Sequence, residues 1–182
     1  MVGLDRHLDR WVVEHRAEPF DTLFVWLSRI GSNGLVWIAI SFVVAIVWRR
    51  YAVFGMTLVA VLVADTSNFA LKNAFDRQRP SSRYSEPEPL MQPPPTHSLP
   101  SGHAATSFAC ATVIGASAPR LRVPLYALAA LIAWSRVYVG VHYPLDVIAG
   151  ALWGLAVGLV LVKALPRLVE LLLRSLRARP QG

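Results

Sequence analysis

Three short clusters in this sequence hold the side-chain types needed to move a phosphoryl group. The first is Lys72 with Arg79-Pro80 after six intervening residues. The second is Pro100-Ser101-Gly102-His103. The third is Ser135-Arg136, followed by His142 and then Asp146. Lys72, Arg79 and Arg136 are cations whose local carboxylates are Asp76 and Asp146 alone. The planar fork of arginine matches phosphate oxygens, and lysine adds a compact charge. Ser101 is an N-cap residue type, so the backbone N–H groups of Gly102 and His103 are expected to open a helix and face an anion. Pro144 suits the first turn of a helix, which puts Asp146 within reach of His142. A carboxylate on one imidazole nitrogen fixes the tautomer and leaves the other nitrogen as a nucleophile. His103, on a separate segment, is placed to act as general acid and then as general base. The chemistry expected is a two-step transfer. His142 attacks phosphorus, His103 protonates the leaving oxygen, and water then hydrolyses the phosphohistidine. Lys72, Arg79, Arg136, Ser101 and Gly102 hold the phosphoryl oxygens. No metal or other cofactor is called for, because the protein supplies the cations itself.

The elements that must position these residues read as membrane helices. Of 182 residues, 54% are apolar and 16% charged, with mean hydropathy +0.45. That composition argues against a disordered chain and against a basic soluble nucleic-acid binder, despite a net charge of +7. A single cysteine, Cys110, excludes an intrachain disulfide framework. The predicted class is an all-α integral membrane bundle of about five spans: 30–48, 51–71, 104–118, 125–141 and 145–162. The third and fourth carry too many small and polar residues to face lipid all round and are expected inside the bundle. Span five repeats glycine at Gly150, Gly154 and Gly158, a pattern for close helix packing. Arg49, Arg50, Arg120, Arg122, Lys163, Arg167, Arg174, Arg177 and Arg179, nine of the 18 Lys and Arg, fall on one side of this arrangement. The positive-inside rule makes that side cytoplasmic, so the three clusters lie at the extracytoplasmic face.

Residues 1–30 show no cleavable signal pattern. Their apolar residues follow a rough helical spacing divided by Pro19. Two short amphipathic helices are expected, either lying in the membrane interface or packing on the bundle. Residues 165–182 are expected to form a basic interfacial helix and tail on the cytoplasmic side. The segment 73–99 holds six prolines with Glu86 and Glu88, and no span is possible there. Such a long loop is expected to cap the pocket and set head-group preference. The whole of 1–182 reads as a single membrane-embedded domain.

In order and spacing, the three clusters of residues 72–146 resemble the three-part signature of the type 2 phosphatidic acid phosphatase superfamily, with all eleven positions present. The resemblance implies a metal-independent membrane lipid phosphatase. His142 would be the nucleophile, Asp146 its partner and His103 the acid/base, with Lys72, Arg79, Ser101, Gly102 and Arg136 on phosphate. Ser135 matches the signature and either donates to phosphate or supports its helix. The resemblance points to undecaprenyl (polyprenyl) diphosphate as substrate, an activity tied to cell-wall synthesis and bacitracin resistance. Phosphatidylglycerophosphate, phosphatidate and a polyprenyl-phosphoribose phosphate are the alternatives. A phosphate-binding scaffold or transporter without turnover, and a vanadate-dependent haloperoxidase, are the readings from other classes. The expected partner is a lipid phosphate reaching the site from the bilayer, with no nucleic acid involved. Asp65 lies two helical turns deeper than Lys72 on the same face. An intramembrane acid is a functional suspect, although a hydrogen bond to Ser67 or Asn68 would account for it equally well.

Overall fold

A helix built almost wholly of small residues forms the axis of the molecule. In the computed structural model, which describes residues 2–177, this helix is α6, Gly102–Ser117. From Ala104 to Gly115 every position but Phe108 is buried. Around it stand α3 (Leu35–Val47), α4 (Tyr51–Phe75), α7 (Arg122–Tyr138) and α8 (Pro144–Arg177). Two further helices, α1 (Val2–Glu14) and α2 (Glu18–Ile30), precede them, and the short α5 (Pro80–Arg83) lies in the connection from α4 to α6. There is no strand among the described residues. The placement of spans three and four inside the bundle therefore holds most fully for α6.

The glycine repeat explains how α8 reaches α6. A Cβ at Gly150 would lie 2.3 Å from the Ser101 carbonyl oxygen, and one at Gly154 only 2.1 Å from that of Ala105. Backbones this close require residues without side chains, as is usual where membrane helices pack. On α4, the buried positions Val53, Thr57, Ala60, Ala64, Asn68 and Lys72 recur every three or four residues. This stripe faces the core and carries Lys72 into it at the last turn.

The sequence reading of five spans is met in its coarser part. Among the described residues, α4 and α8 are each long and apolar enough to cross a membrane alone. The helix α2 and the segment Ser32–Val47 meet the same test together, as a pair bent by 58°. The bend sits at Asn33 and Gly34, both left-handed (φ 54° and 69°), where the chain breaks between α2 and α3. With 16 and 17 residues, α6 and α7 are shorter than the roughly 20 residues of a typical span.

Two boundaries differ from expectation. Pro19 does not divide the N-terminal helices. The break falls at residues 15–17, and Pro19 occupies the first turn of α2, where its missing N–H is not needed. Nor is there a separate interfacial helix at 165–176, since α8 continues unbroken for 34 residues to Arg177. That is about 51 Å of helix against a hydrocarbon core of about 30 Å, so one end stands clear of it. The last part of the expected tail, 178–182, lies outside the described residues. The inner face of α1 buries Asp5, Asp9, Val12 and Val13, while Leu4, Leu8 and Trp11 point outward. The N-terminal helices thus pack on the bundle and expose an apolar outer face.

Candidate active site

The three clusters meet at one end of the bundle. Lys72 arrives on the last turn of α4 and Gly102 opens α6. Arg136 lies in the last turn of α7, and Asp146 lies in the first turn of α8. The turn from α7 to α8 reverses the chain at Gly140 (φ +80°), a backbone conformation that strains any L side chain. The amides of Val141 and His142 then fold back on the Arg136 carbonyl, 3.2 Å from each. The Ser101 amide donates to the Asp146 carbonyl at 2.9 Å and ties the two helix N-termini together.

His142 is 2% exposed and held from both sides. Its Nδ1 faces Asp146 Oδ2 at 3.4 Å, and its Nε2 lies 3.1 Å from Arg79 Nη1. Burial first, and then the positive charges of Arg79, Lys72 and Arg136, hold the imidazole pKa well below its ordinary 6.5. The ring is neutral at neutral pH, the form a nucleophile needs. Arg79 is fixed by the loop: Nε donates to the Thr96 carbonyl at 2.7 Å and Nη1 to the Val141 carbonyl at 2.8 Å. Burial lowers its pKa to about 10, which leaves it charged. Lys72 Nζ donates to the His97 carbonyl at 2.6 Å, so the loop's backbone positions both cations. The His97 ring instead meets the exposed Asp76 at 2.9 Å.

Among the described residues, the three cations of the pocket, Lys72, Arg79 and Arg136, have no carboxylate partner. The buried Ser101 Oγ and Arg136 Nε have no hydrogen-bond partner. Ser101 stands at the N-cap position but makes no side-chain cap, which leaves its hydroxyl unengaged. Buried donors without acceptors are costly, and an anion satisfies them. On the far side, His103 Nε2 lies 3.2 Å from the Ser28 carbonyl and 3.3 Å from Ser32 Oγ, on the bend after α2. Ser135 is fully buried and donates to the Ile132 carbonyl at 2.6 Å, within its own helix.

Four residues not singled out in the sequence join the site. Arg77 Nη1 donates to Asp146 Oδ1 at 2.5 Å, and its other arm pairs with Asp5 of α1. Ser98 donates to Asp146 Oδ2 and lies 3.4 Å from His142 Nδ1. Ser28 accepts from Arg136. Arg77, two positions before Arg79, and Ser98, two before Pro100, were visible as neighbours of the motifs. Nothing in the sequence links Asp5 to Arg77 or Ser28 to Arg136, 72 and 108 positions apart.

Residues 51–170 match the family model of the PAP2 superfamily. The chain belongs to the PAP2 superfamily. This is the superfamily its motifs resemble, and relatives of the chain are named as phosphatases acting on lipid diphosphates or phosphate esters. The chain is 32% identical over 160 residues to an undecaprenyl-diphosphatase of Sulfolobus acidocaldarius, covering 84% of this chain and 74% of that protein. It is 31% identical over 135 residues to a decaprenylphosphoryl-5-phosphoribose phosphatase of Mycobacterium tuberculosis, with 74% of each covered. The crystal structure of Aquifex aeolicus LpxE superimposes with a TM-score of 0.73 at 28% identity, over 86% of this chain and 93% of that one.

Proposed function

We propose that this PAP2 member removes the terminal phosphate of a polyprenyl lipid through a phosphohistidine on His142. The observation that carries the reading is the setting of His142. Its Nδ1 faces a buried carboxylate, and its Nε2 faces Arg79. Among the described residues, the cations of this pocket have no ion pair, and its Ser101 Oγ and Arg136 Nε have no partner. Nε2 forms a bond to phosphorus as the bond to the leaving oxygen breaks, and His103 gives that oxygen its proton. Water then attacks the phosphohistidine with His103 taking a proton, the N–P bond breaks, and phosphate departs. Lys72, Arg79, Arg136, Ser101 and the α6 N-terminus hold the equatorial oxygens. Asp146 orients and stabilises the imidazole.

The polyprenyl chain is supported by similarity to two relatives whose names specify one. Their head groups differ, one a diphosphate and the other a phosphorylated ribose. Phosphate release is to be measured from both lipids by the purified protein in detergent with EDTA, beside His142→Ala. Release that survives EDTA, vanishes in the variant and leaves label on His142 of the wild type is the expected result. Failure of both lipids would overturn it.

The reading includes five membrane crossings with the site extracytoplasmic and the C-terminus cytoplasmic. Its support is the sequence pattern, in which nine basic residues fall on the other side of the five-span arrangement. In a Cys110→Ala background, Ser85→Cys should react with an impermeant maleimide added to intact cells. Reaction only after lysis would reverse the orientation.

A further inference from the structure

A cavity of about 380 Å³ opens beside the phosphate pocket, and its two ends differ in charge. One end is formed by Lys72, Gly102 and His103, and the other by Asp65, Asn68 and Thr106. On α4, Asp65, Asn68, Phe69 and Lys72 share one helix face and line this cavity together. On α6, Thr106 follows His103 by one turn, about 4.5 Å of rise. Its hydroxyl donates to Asp65 Oδ1 at 2.5 Å. The hydrogen bond expected between Asp65 and Ser67 or Asn68 is absent, and Thr106 takes that place. The carboxylate therefore sits about one turn beyond His103, the residue read above as the acid for the leaving oxygen.

The second observation is Asn68. Its Nδ2 donates to the Pro100 carbonyl at 3.4 Å, which fixes the amide orientation. Its buried Oδ1 is left without a partner. The far end of the cavity thus offers a carboxylate and an orphaned amide oxygen. A hydroxyl entering there gains a charge-assisted hydrogen bond to Asp65. A second phosphate would bring its negative charge against that of the carboxylate. An acid kept within a membrane-spanning helix is expensive unless a polar ligand or water meets it.

We propose that Asp65 and Asn68 form a leaving-group subsite that accepts hydrogen bonds from hydroxyls, so that the preferred substrate is a phosphorylated polyol lipid, such as a phosphoribose, and not a diphosphate. This rests on the phosphatase reading above and selects between its two head groups.

The test compares kcat/KM for a polyprenyl-phosphoribose phosphate, its 3-deoxy analogue and polyprenyl diphosphate. Each is assayed with wild type, Asp65→Asn and Asp65→Ala. Wild type should favour the phosphoribose lipid and lose about tenfold on the deoxy analogue. The Asp65 variants should lose that discrimination and turn over the diphosphate faster than wild type. The deoxy comparison needs no variant, so poor folding of Asp65→Ala does not block the test. Equal rates on the ribose and deoxy lipids, or a wild-type preference for diphosphate that the Asp65 variants keep, would overturn the subsite alone. Failure on all three lipids by a folded wild type removes the phosphatase reading and the subsite with it.

Discussion

Arg77 Nη1 lies 2.5 Å from Asp146 Oδ1, and the same guanidinium reaches back to Asp5 on the first helix of the chain. Its plane also covers the ring of Tyr143, 4.3 Å from the centroid. The carboxylate that orients His142 is thus shared between the imidazole on one oxygen and an arginine on the other. Asp5 Oδ1 accepts the Leu145 amide at 2.8 Å, so α1 is fastened to the start of α8, beside Asp146. The N-terminal helix is part of what holds the site in place.

Replacing Arg77 exposes the value of this chain of contacts. Arg77→Ala leaves two carboxylates, Asp5 and Asp146, buried without their cation. Loss of one partner of a buried pair costs about 3–5 kcal/mol. We expect a fall in the thermal midpoint together with lower kcat at little-changed KM, because Arg77 does not face the phosphate. Arg77→Ala with a raised KM and an unchanged kcat would contradict a positioning role.

The setting of His142 predicts the acidic limb of the pH profile. Burial and three cations lower its pKa in the folded protein, so the folded state binds fewer protons than the unfolded one. The neutral, nucleophilic form persists below pH 6.5, and activity is lost as pH falls through the depressed value. Stability falls over the same acidic range, below 6.5. Arg79→Gln removes the largest charge acting on the ring and should move the limb upward in a kcat/KM profile. An unmoved limb would assign it to another group.

Asp9 predicts a pH effect of opposite sign on stability. It is fully buried in α1 and neither carboxylate oxygen has a hydrogen-bond partner. Burial is the main cause that raises its pKa to about 7, opposed by Arg10 and Arg16 and reinforced by Asp5 and Asp146. The folded state therefore keeps a proton that the unfolded chain releases near pH 3.8. Stability declines as pH rises from there to about 7. Asp9→Asn should flatten that decline and raise the thermal midpoint at pH 8 more than at pH 5. Equal shifts at both values would count against a charge effect.

The packing of α8 on α6 predicts a steep response to a single methyl group. Gly154→Ala places a carbon 2.1 Å from the Ala105 carbonyl oxygen, and the helices must separate. Overpacking of this kind costs about 1–3 kcal/mol or more. Since α6 and α8 both carry active-site residues, activity should fall with stability. Gly55→Ala meets nothing within 4 Å and should be neutral or slightly stabilising, as helix propensity favours alanine. Thermal midpoints in one detergent separate the two.

The sequence by itself determined the family and the membrane character, and it named the residues of the candidate site. Lys72, Arg79, Ser101, Arg136, His103, His142 and Asp146 are specified by type and spacing, and apolar runs with a small-residue helix specify a bundle. Such signals are local, carried by residues within one cluster or one helix. Tertiary structure decided what those signals cannot hold. The bend between α2 and α3 brings Ser28 and Ser32 to Arg136 and His103, and α1 brings Asp5 to Arg77. Contacts over such separations depend on how helices pack, and apart from the glycine face of α8 those packing surfaces are not marked by linear spacing. The partner of Asp65 was decided in the same way. Its i+3 neighbour Asn68 was available, but the Asn68 side-chain amide N–H donates to the Pro100 carbonyl, and the approach of α6 put the Thr106 hydroxyl on Asp65.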